Sequence, residues 1–315
     1  MGEGRVGVWN NCNMENGRID LHLHTIASDG TFSPIEVVNK ALEIGLKVIS
    51  ITDHDTVNGT TEAIRYIEKL GQTNIDRLHF SFVSQKESPA VGDAYMHPFP
   101  LEIIPGVELS STFKHKEVHI LGYFIDYKDS RLLERLEDLR KFRIERGRKI
   151  ASKLAGVGII IDFQDILRKV GNGSVGRLHF ANALVEGKYV YSVEYAMQKY
   201  LSKGKVGYVP HNFLTPEECI KVIKDAKGIA VMAHPGLYDE DGFIPHFVKF
   251  GIDGIEVYHA SHSFEDTKRY INIAQKYNLL ITGGSDCHGL AKGNALIGLV
   301  DVPYELIGEL KKRAL

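Results

Sequence analysis

Seven short apolar runs, spaced along the chain between helix-start signals, restrict its architecture more than any other feature. They are Ile19–Leu23, Val48–Thr52, Ile103–Leu109, Val118–Phe124, Ile229–Ala233, Ile255–Tyr258 and Leu279–Thr282. Their length, β-branched content and flanking glycines suit buried strands. Two helix starts are explicit. Ser33-Pro34-Ile35-Glu36 combines an N-cap, a proline at the first helical position and a capping-box acid, with Gly45 as the stop. Thr215-Pro216-Glu217-Glu218 repeats that grammar, with Gly228 as its stop. Strands alternating with helices predict an α/β chain built on a parallel sheet or barrel.

Residues 126–213 break this rhythm. Leu132, Leu133, Leu136, Leu139, Ile150 and Leu154 recur there at helical spacing, and no comparable apolar run follows until Ile229. This stretch is predicted to be a helical insertion, leaving 17–125 and 214–315 as the α/β core and 1–16 as a flexible leader. Gly71–Pro100, with Pro89, Pro98 and Pro100, reads as an irregular stretch.

Composition removes several classes of function. The formal net charge of −2 gives no global basic field for long duplex nucleic acid. Cys12, Cys219 and Cys287 are too few and too scattered for a disulfide framework or a thiolate zinc site, and favour a reducing cytoplasm. No apolar run approaches the roughly 18 residues of a membrane span, and the first residues carry no apolar signal segment, so no membrane partner is expected. Nothing in the pattern speaks to oligomeric state.

The chemistry gathers at the ends of the predicted strands. In Asp20-Leu21-His22-Leu23-His24, alternation puts His22 and His24 on one face, where two imidazoles can chelate one ion. Asp53 and His54 end the second run, Glu108 ends the third, His119 lies on the fourth and His234 ends the fifth. Asp286 and His288 follow the seventh. Metal-competent side chains thus sit on or just after six of the seven runs. Parallel strand ends converge on one rim, where such folds place their active sites. Imidazole mixed with carboxylate suits Mn, Zn or Fe, and so many donors exceed the demand of a single ion, so two or three divalent ions are expected.

DLHLHTIASDG, ITDHDTVNG, PGVELS, AHPG and GGSDCHG together resemble the motifs of the PHP (polymerase and histidinol phosphatase) family. The insertion carrying GRLHFANALV resembles more narrowly the family's phosphoesterases of nucleotides and short RNA ends. The resemblance spans Gly17 to Val300. It implies a distorted (β/α)7 TIM-like barrel with a trinuclear metal centre. By resemblance, His22, His24, Glu108 and Asp286 hold one ion, Glu108, His119 and His234 a second, and Asp29, His54 and His288 a third. Asp53 and Asp55 would orient those ligands. The implied reaction is phosphate-ester hydrolysis by a metal-bridged hydroxide. His234, His288 and Asp286 are the candidate catalytic side chains, either histidine handling protons where an ion is missing.

Substrate selection is assigned to the insertion. Arg143 and Arg146 share a helix face and could grip a phosphate, the alternative being a solvated basic face. Arg177 and His179, in GRLH, match positions of phosphate contacts in the family; Tyr208 matches another, with packing as the plainer reading. His262 and His259 follow the sixth run and could approach a substrate. Cys287 reads as small filler, and His79, His97, His115, His211 and His246 carry no assignment. The expected substrate is a nucleoside 3′,5′-bisphosphate or a short 5′-phosphorylated RNA. Two alternatives remain: a histidinol-phosphate phosphatase, against which Asp29 counts because those enzymes tend to carry histidine there, and a non-catalytic metal-binding module.

Overall fold

The computed structural model describes residues 17–81, 101–210, 213–291 and 293–314, with the backbone alone over 71–81. The chain runs β1 (Arg18–Leu23), α1 (Pro34–Glu43), β2 (Leu46–Ile51), α2 (Asn58–Ser81), β3 (Glu102–Ile103), β4 (Gly106–Phe113) and β5 (Lys116–Tyr123). Five helical segments follow: α3 (Ser130–Ala155), α4 (Phe163–Val170), α5 (Arg177–Glu186), α6 (Val193–Ala196) and a π turn at Met197–Leu201. The chain then completes the sheet through α7 (Pro216–Asp225), β6 (Ile229–Met232), α8 (Ile244–Lys249), β7 (Gly254–His259), α9 (Phe264–Tyr277), β8 (Leu280–Gly284) and α10 (Leu306–Ala314).

Both explicit helix starts form as their sequences dictate. The Ser33 hydroxyl accepts from Glu36 N at 3.2 Å while the Glu36 carboxylate accepts from Ser33 N at 2.7 Å. Thr215 and Glu218 make the same reciprocal pair at the start of α7. Gly45 takes the left-handed φ of +77° that ends the α1 turn.

The strands close into a distorted α/β barrel. β1, β2 and β3 are hydrogen-bonded in parallel, and β4 to β8 form a second sheet in sequence order. Two isolated parallel bridges, Leu23 to Cys287 and His54 to Glu108, join the sheets into a ring. An apolar cluster that includes Ile19, Leu21, Leu121, Tyr123, Val231 and Leu310 fills one part of it. Outward-facing residues are buried as well, under helices, so that β1 is buried from Ile19 to Leu23 on both faces.

Three expectations are corrected. The run Ile103–Leu109 is two strands, because Pro105 has no N–H to give a ladder and separates β3 from β4. Glu108 is therefore the third residue of β4 rather than the end of a strand. The fourth strand is not parallel: Lys114 and His115, with φ of 45° and 66°, make a two-residue turn that folds β5 back antiparallel on β4. His119 still reaches the rim because a reversed strand starts where its neighbours end. The irregular stretch also begins later than expected, since α2 continues through Gly71 to Ser81. The rest of that stretch, 82–100, lies outside the described residues, as do 1–16, Cys12, His97 and His211.

The helices between β5 and α7 have an apolar cluster of their own, including Ile150, Leu154, Phe163, Phe180, Leu184 and Leu201. Helix α3 spans two clusters. Leu132, Leu136 and Leu139 pack into the core around β4, β5 and α7, whereas Ile150 and Leu154 belong to the inserted helices. Leu133, counted with the apolar stripe, is 43% exposed. No helix among the described residues is long and apolar enough to cross a membrane.

Candidate metal centre

Alternation on β1 delivers His22 and His24 to the inside of the ring, and a close approach of β8 completes the pairing. A Cβ on Gly284 would run into the backbone and Cβ of His22, so the Gly-Gly of ITGGSDCHG is a steric requirement there. Beyond the strands, Asp55, His234 and Asp286 take positive φ values of 53°, 27° and 52°. Non-glycine residues rarely adopt this region, and such strain collects where side chains are aimed for function.

Glu108 is the hub. Its Oε2 lies 3.3 Å from His22 Nε2, 3.2 Å from His24 Nε2 and 3.1 Å from His54 Nδ1. Its Oε1 lies 2.8 Å from His119 Nδ1 and 3.1 Å from His234 Nε2. Asp286 Oδ1 adds a second carboxylate, 3.4 Å from His22 Nε2 and 3.1 Å from His24 Nε2. Asp29 Oδ1 sits 3.4 Å from His288 Nε2 and 3.8 Å from His24 Nδ1. All nine side chains expected to hold metal are thereby brought together. Asp53 and Asp55 stand behind them: Asp53 accepts from Thr25 N and Oγ1, each at 2.7 Å, fixing the loop that leads to Asp29, and Asp55 accepts from Ser110 N at 2.8 Å.

The electrostatics describe a cluster in which protons stand where cations belong. Burial opposes charge on His24 and His119, yet the surrounding carboxylates win. Asp286 and Glu108 raise His24 to about 9, and Glu108 with Glu117 raises His119 to about 10. Burial prevails at His234, lowered to about 4, and at His54, held well below the usual imidazole range with further repulsion from His24 and His119. Burial likewise opposes ionisation of Glu108, but His54, His119 and His22 hold it well below the ordinary carboxylate range.

The donor set fits divalent metal ions. His24 Nε2, His54 Nδ1, His119 Nδ1, His234 Nδ1 and Asp29 Oδ1 are buried and make no well-aligned hydrogen bond. Buried polar atoms rarely go unsatisfied, so five in one cluster mark a place for a missing partner. Ligand atoms of His24, Asp29, His54 and His288 lie within 4.8 Å of one another, as do those of His22, His24, Glu108 and Asp286. A third such group is His54, Glu108 and His119, which places His54 between two of the expected ligand sets.

The cluster floors a cavity of about 870 Å³, whose other wall is the insertion. Arg146, buried on α3, donates Nε to Val209 O at 2.9 Å and leaves Nη2 without a hydrogen bond. Burial, with Arg143 adding to it against the pull of Glu117, lowers its pKa to about 10. Arg177 reaches Glu117 at 2.8 Å, and both line the cavity. Arg143 also borders it, but three of its nitrogens bind the protein: Nε to Asp55 Oδ2 at 2.6 Å, Nη1 to Val175 O at 3.0 Å and Nη2 to Ser110 Oγ at 2.8 Å.

Two expected substrate contacts are not brought to the cavity. His179 turns back on its own helix start, accepting from Gly176 N at 3.0 Å. His262 accepts from Gly236 N at 3.1 Å and donates to Val257 O at 2.8 Å, which leaves no ring nitrogen for a phosphate. Tyr208 is half-buried and does not line the cavity, and Cys287 is buried beside β1. Sequence reasoning missed Glu117 and Glu256. Alternation along β5 could have found Glu117, which shares the face of His119; Glu256 had no neighbouring motif.

The comparisons with known proteins agree with this geometry. A family model described as the PHP domain matches residues 20–201. The 3′,5′-nucleoside bisphosphate phosphatase of Chromobacterium violaceum is 32% identical over 286 residues, covering 89% of this chain and 90% of that protein. The 5′-3′ exoribonuclease Rnm of Salmonella typhimurium is 33% identical over 274 residues, covering 85% and 84%. Among solved structures, a protein assigned as a metal-dependent phosphoesterase from Bifidobacterium adolescentis superposes with a TM-score of 0.78 at 27% identity, covering 94% of this chain and 96% of that one. An amidohydrolase from Chromobacterium violaceum with bound sulfate superposes with a TM-score of 0.76 at 30% identity and the same coverage. With its motifs, barrel and donor cluster matched in one chain, the protein belongs to the PHP domain family.

Proposed function

We propose that the protein is a metal-dependent phosphoesterase acting on a nucleoside 3′,5′-bisphosphate or the 5′ end of a short RNA. The observation that carries this is Glu108, surrounded by five imidazoles on the floor of a cavity that is also lined by Arg146, whose guanidinium keeps one nitrogen unspent. At about 870 Å³ the cavity lies toward the upper end of small-molecule sites, ample for a nucleotide. The names of the bisphosphatase and exoribonuclease relatives support the same class.

His22, His24, Glu108 and Asp286 would hold one divalent ion, Glu108, His119 and His234 a second, and Asp29, His54 and His288 a third; Mn, Zn and Fe suit these donors. Such ions, when bound, supply a water acidic enough to attack phosphorus at neutral pH and positive charge for the phosphoryl oxygens. The chain's own residues do the rest. Arg146 and Arg177 bind a substrate phosphate as forked donors, fixing the ester over the cluster. Leu178, Val193, Met197 and Leu237 give that cavity apolar walls for a sugar and base. His234 is neutral through burial, the form a ligand requires; His288 and Asp286, whose donor atoms join the groups around His24, serve as ligands beside it. Arg143, held by Asp55, Ser110 and Val175, is a strut between the insertion and the loop after His54. In this reading residues 126–213 select the substrate, and the free thiols of Cys219 and Cys287 support a cytoplasmic setting.

The test is phosphate and product release from adenosine 3′,5′-bisphosphate, AMP, histidinol phosphate and a short 5′-phosphorylated RNA, with Mn(II) and with chelator. Chelator-sensitive turnover of the bisphosphate or the RNA, without turnover of histidinol phosphate, is expected. Metal-loaded protein that turns over none of them would sink the proposal.

A further inference from the structure

Strand β7 ends on the same rim as its neighbours yet supplies none of the nine side chains that converge on the metal centre. It supplies Glu256 instead, a carboxylate with no exposed surface. Glu256 Oε1 lies 2.9 Å from His22 Nδ1, and Oε2 accepts the backbone N–H of His234 at 2.8 Å. One buried acid thus touches two of the expected ligands, one through its ring and the other through the backbone.

His22, Glu256 and His259 also come close enough to suggest a separate ion. Their hydrogen bonds argue otherwise. Both Glu256 oxygens are engaged. His259 Nδ1 accepts from Ser261 N at 3.1 Å, so a neutral His259 carries its proton on Nε2. That buried nitrogen has no hydrogen-bond partner among the described residues and lies 3.7 Å from Asp286 Oδ2. It can donate toward a carboxylate ligand but has no lone pair to offer a cation.

We propose that Glu256 is a positioning residue of the metal centre, holding His22 as its Nδ1–H tautomer and pinning the backbone of His234. The proposal rests on the metal-centre reading above. With Glu256 as acceptor, the His22 proton is on Nδ1 and its Nε2 lone pair faces Glu108 and Asp286, the direction a ligand needs. The bond to His234 N acts where φ is +27°, a conformation that needs an external restraint in a residue with a Cβ. A register irregularity in β7 between Glu256 and Tyr258 re-aims the end of the strand and brings His259 toward Asp286. The strand that lacks ligands therefore serves the ligands of β1, β6 and β8.

The experiment measures Zn(II) affinity of the full chain by competition with a chromophoric chelator, together with Zn content and the unfolding temperature of the metal-free protein. E256A is expected to bind Zn(II) about 10- to 100-fold more weakly than wild type, as loss of a ligand's hydrogen-bond partner does. E256Q keeps an acceptor for His22 Nδ1–H but loses the charge, and should weaken binding by about 3- to 10-fold. A purely structural role would lower the metal-free unfolding temperature and leave affinity unchanged. Affinities within about twofold of wild type in both variants would overturn the proposal. Should E256A fail to fold, E256Q decides alone, by the same criterion. NMR adds a direct signature: the hydrogen-bonded His22 Nδ1–H resonance of the wild type should vanish in E256A, and its absence from the wild type counts against the tautomer. Because activity is not read, a wrong substrate assignment leaves the outcome intact, whereas a wild type that binds no Zn(II) removes the centre itself.

Discussion

The barrel rim and the inserted helices meet in one cavity but reach it by different means. The rim gathers its charged groups from strand ends and the loops beyond them, and concentrates them on one carboxylate. The insertion presents guanidinium groups from the middle of α3 and the start of α5. Arg143 and Arg146 are three residues apart on one helix face, yet their surroundings divide their work. Arg143 meets Asp55, Ser110 and Val175 and becomes part of the framework; Arg146 meets a single carbonyl and leaves Nη2 without a hydrogen bond, the nitrogen proposed above to serve a ligand. Helix α3 can hold both because its first half is packed into the barrel core and its second half into the insertion. In the proposed reading the cavity takes its chemistry from one substructure and its substrate fit from the other, and α3 packs into both.

Removing the hub should have the largest effect. Glu108→Ala leaves five imidazoles without their shared acceptor and should cost several kcal/mol of transition-state stabilisation, a fall in kcat/KM of about 10³-fold or more. Steady-state phosphate release and metal content of the variant check this; near-normal turnover would mean that the rim is not the chemical half of the cavity. Arg143→Ala should act on stability, because it removes the guanidinium that neutralises buried Asp55. A loss of about 3–5 kcal/mol in urea unfolding is expected, with Asp55→Asn relieving part of it in the double variant. A stable Arg143→Ala protein with a raised KM would erase the division between the two arginines.

Arg146→Ala should lower kcat/KM for the bisphosphate by about 10- to 100-fold, the value of a charge-assisted hydrogen bond, with a smaller stability loss than Arg143→Ala. AMP, lacking the second phosphate, should suffer less, and kinetics on both substrates sharpen the assignment. The smallest effect expected is in protons. At pH 7 the metal-free rim holds protons on His24 and His119, whose pKa values stand near 9 and 10, above the unfolded value of 6.5. Those protons stabilise the metal-free fold fully below about 6.5, and that contribution fades as pH rises through 9 to 10. Metal affinity moves the other way, strengthening over the same window. Burial opposes charge on His22 too, but Glu256, Glu108 and Asp286 raise it well above 6.5, so Mn(II) uptake at pH 7 should release about three protons. Calorimetry in buffers of different ionisation enthalpy counts them; no release would mean that these rings do not meet the ion.

Much of this was legible before any tertiary contact was known. The seven apolar runs mark the barrel strands, both capping boxes mark real helix starts, and the strand-end histidines and acids converge as alternation and chain direction require. What escaped was set at long range. Pro105 and the Lys114-His115 turn carried the split third strand and the reversed fourth in local chemistry, but apolar content alone read them as two parallel strands. The partners of Arg143 come from residues 33, 88 and 32 positions away, and no local pattern announces them.

The sequence by itself determined which side chains could reach a common rim, because period-two alternation and the connection of strands to helices are local rules. Tertiary structure alone decided which polar groups would be spent on the protein and which left for a ligand. Glu256 became a support for His22 and His234, His262 lost both nitrogens to backbone groups, and Arg146 kept its donor. The physical reason is that a buried polar atom is satisfied by whatever the fold brings within about 3 Å, and that neighbour is chosen by packing rather than by sequence distance.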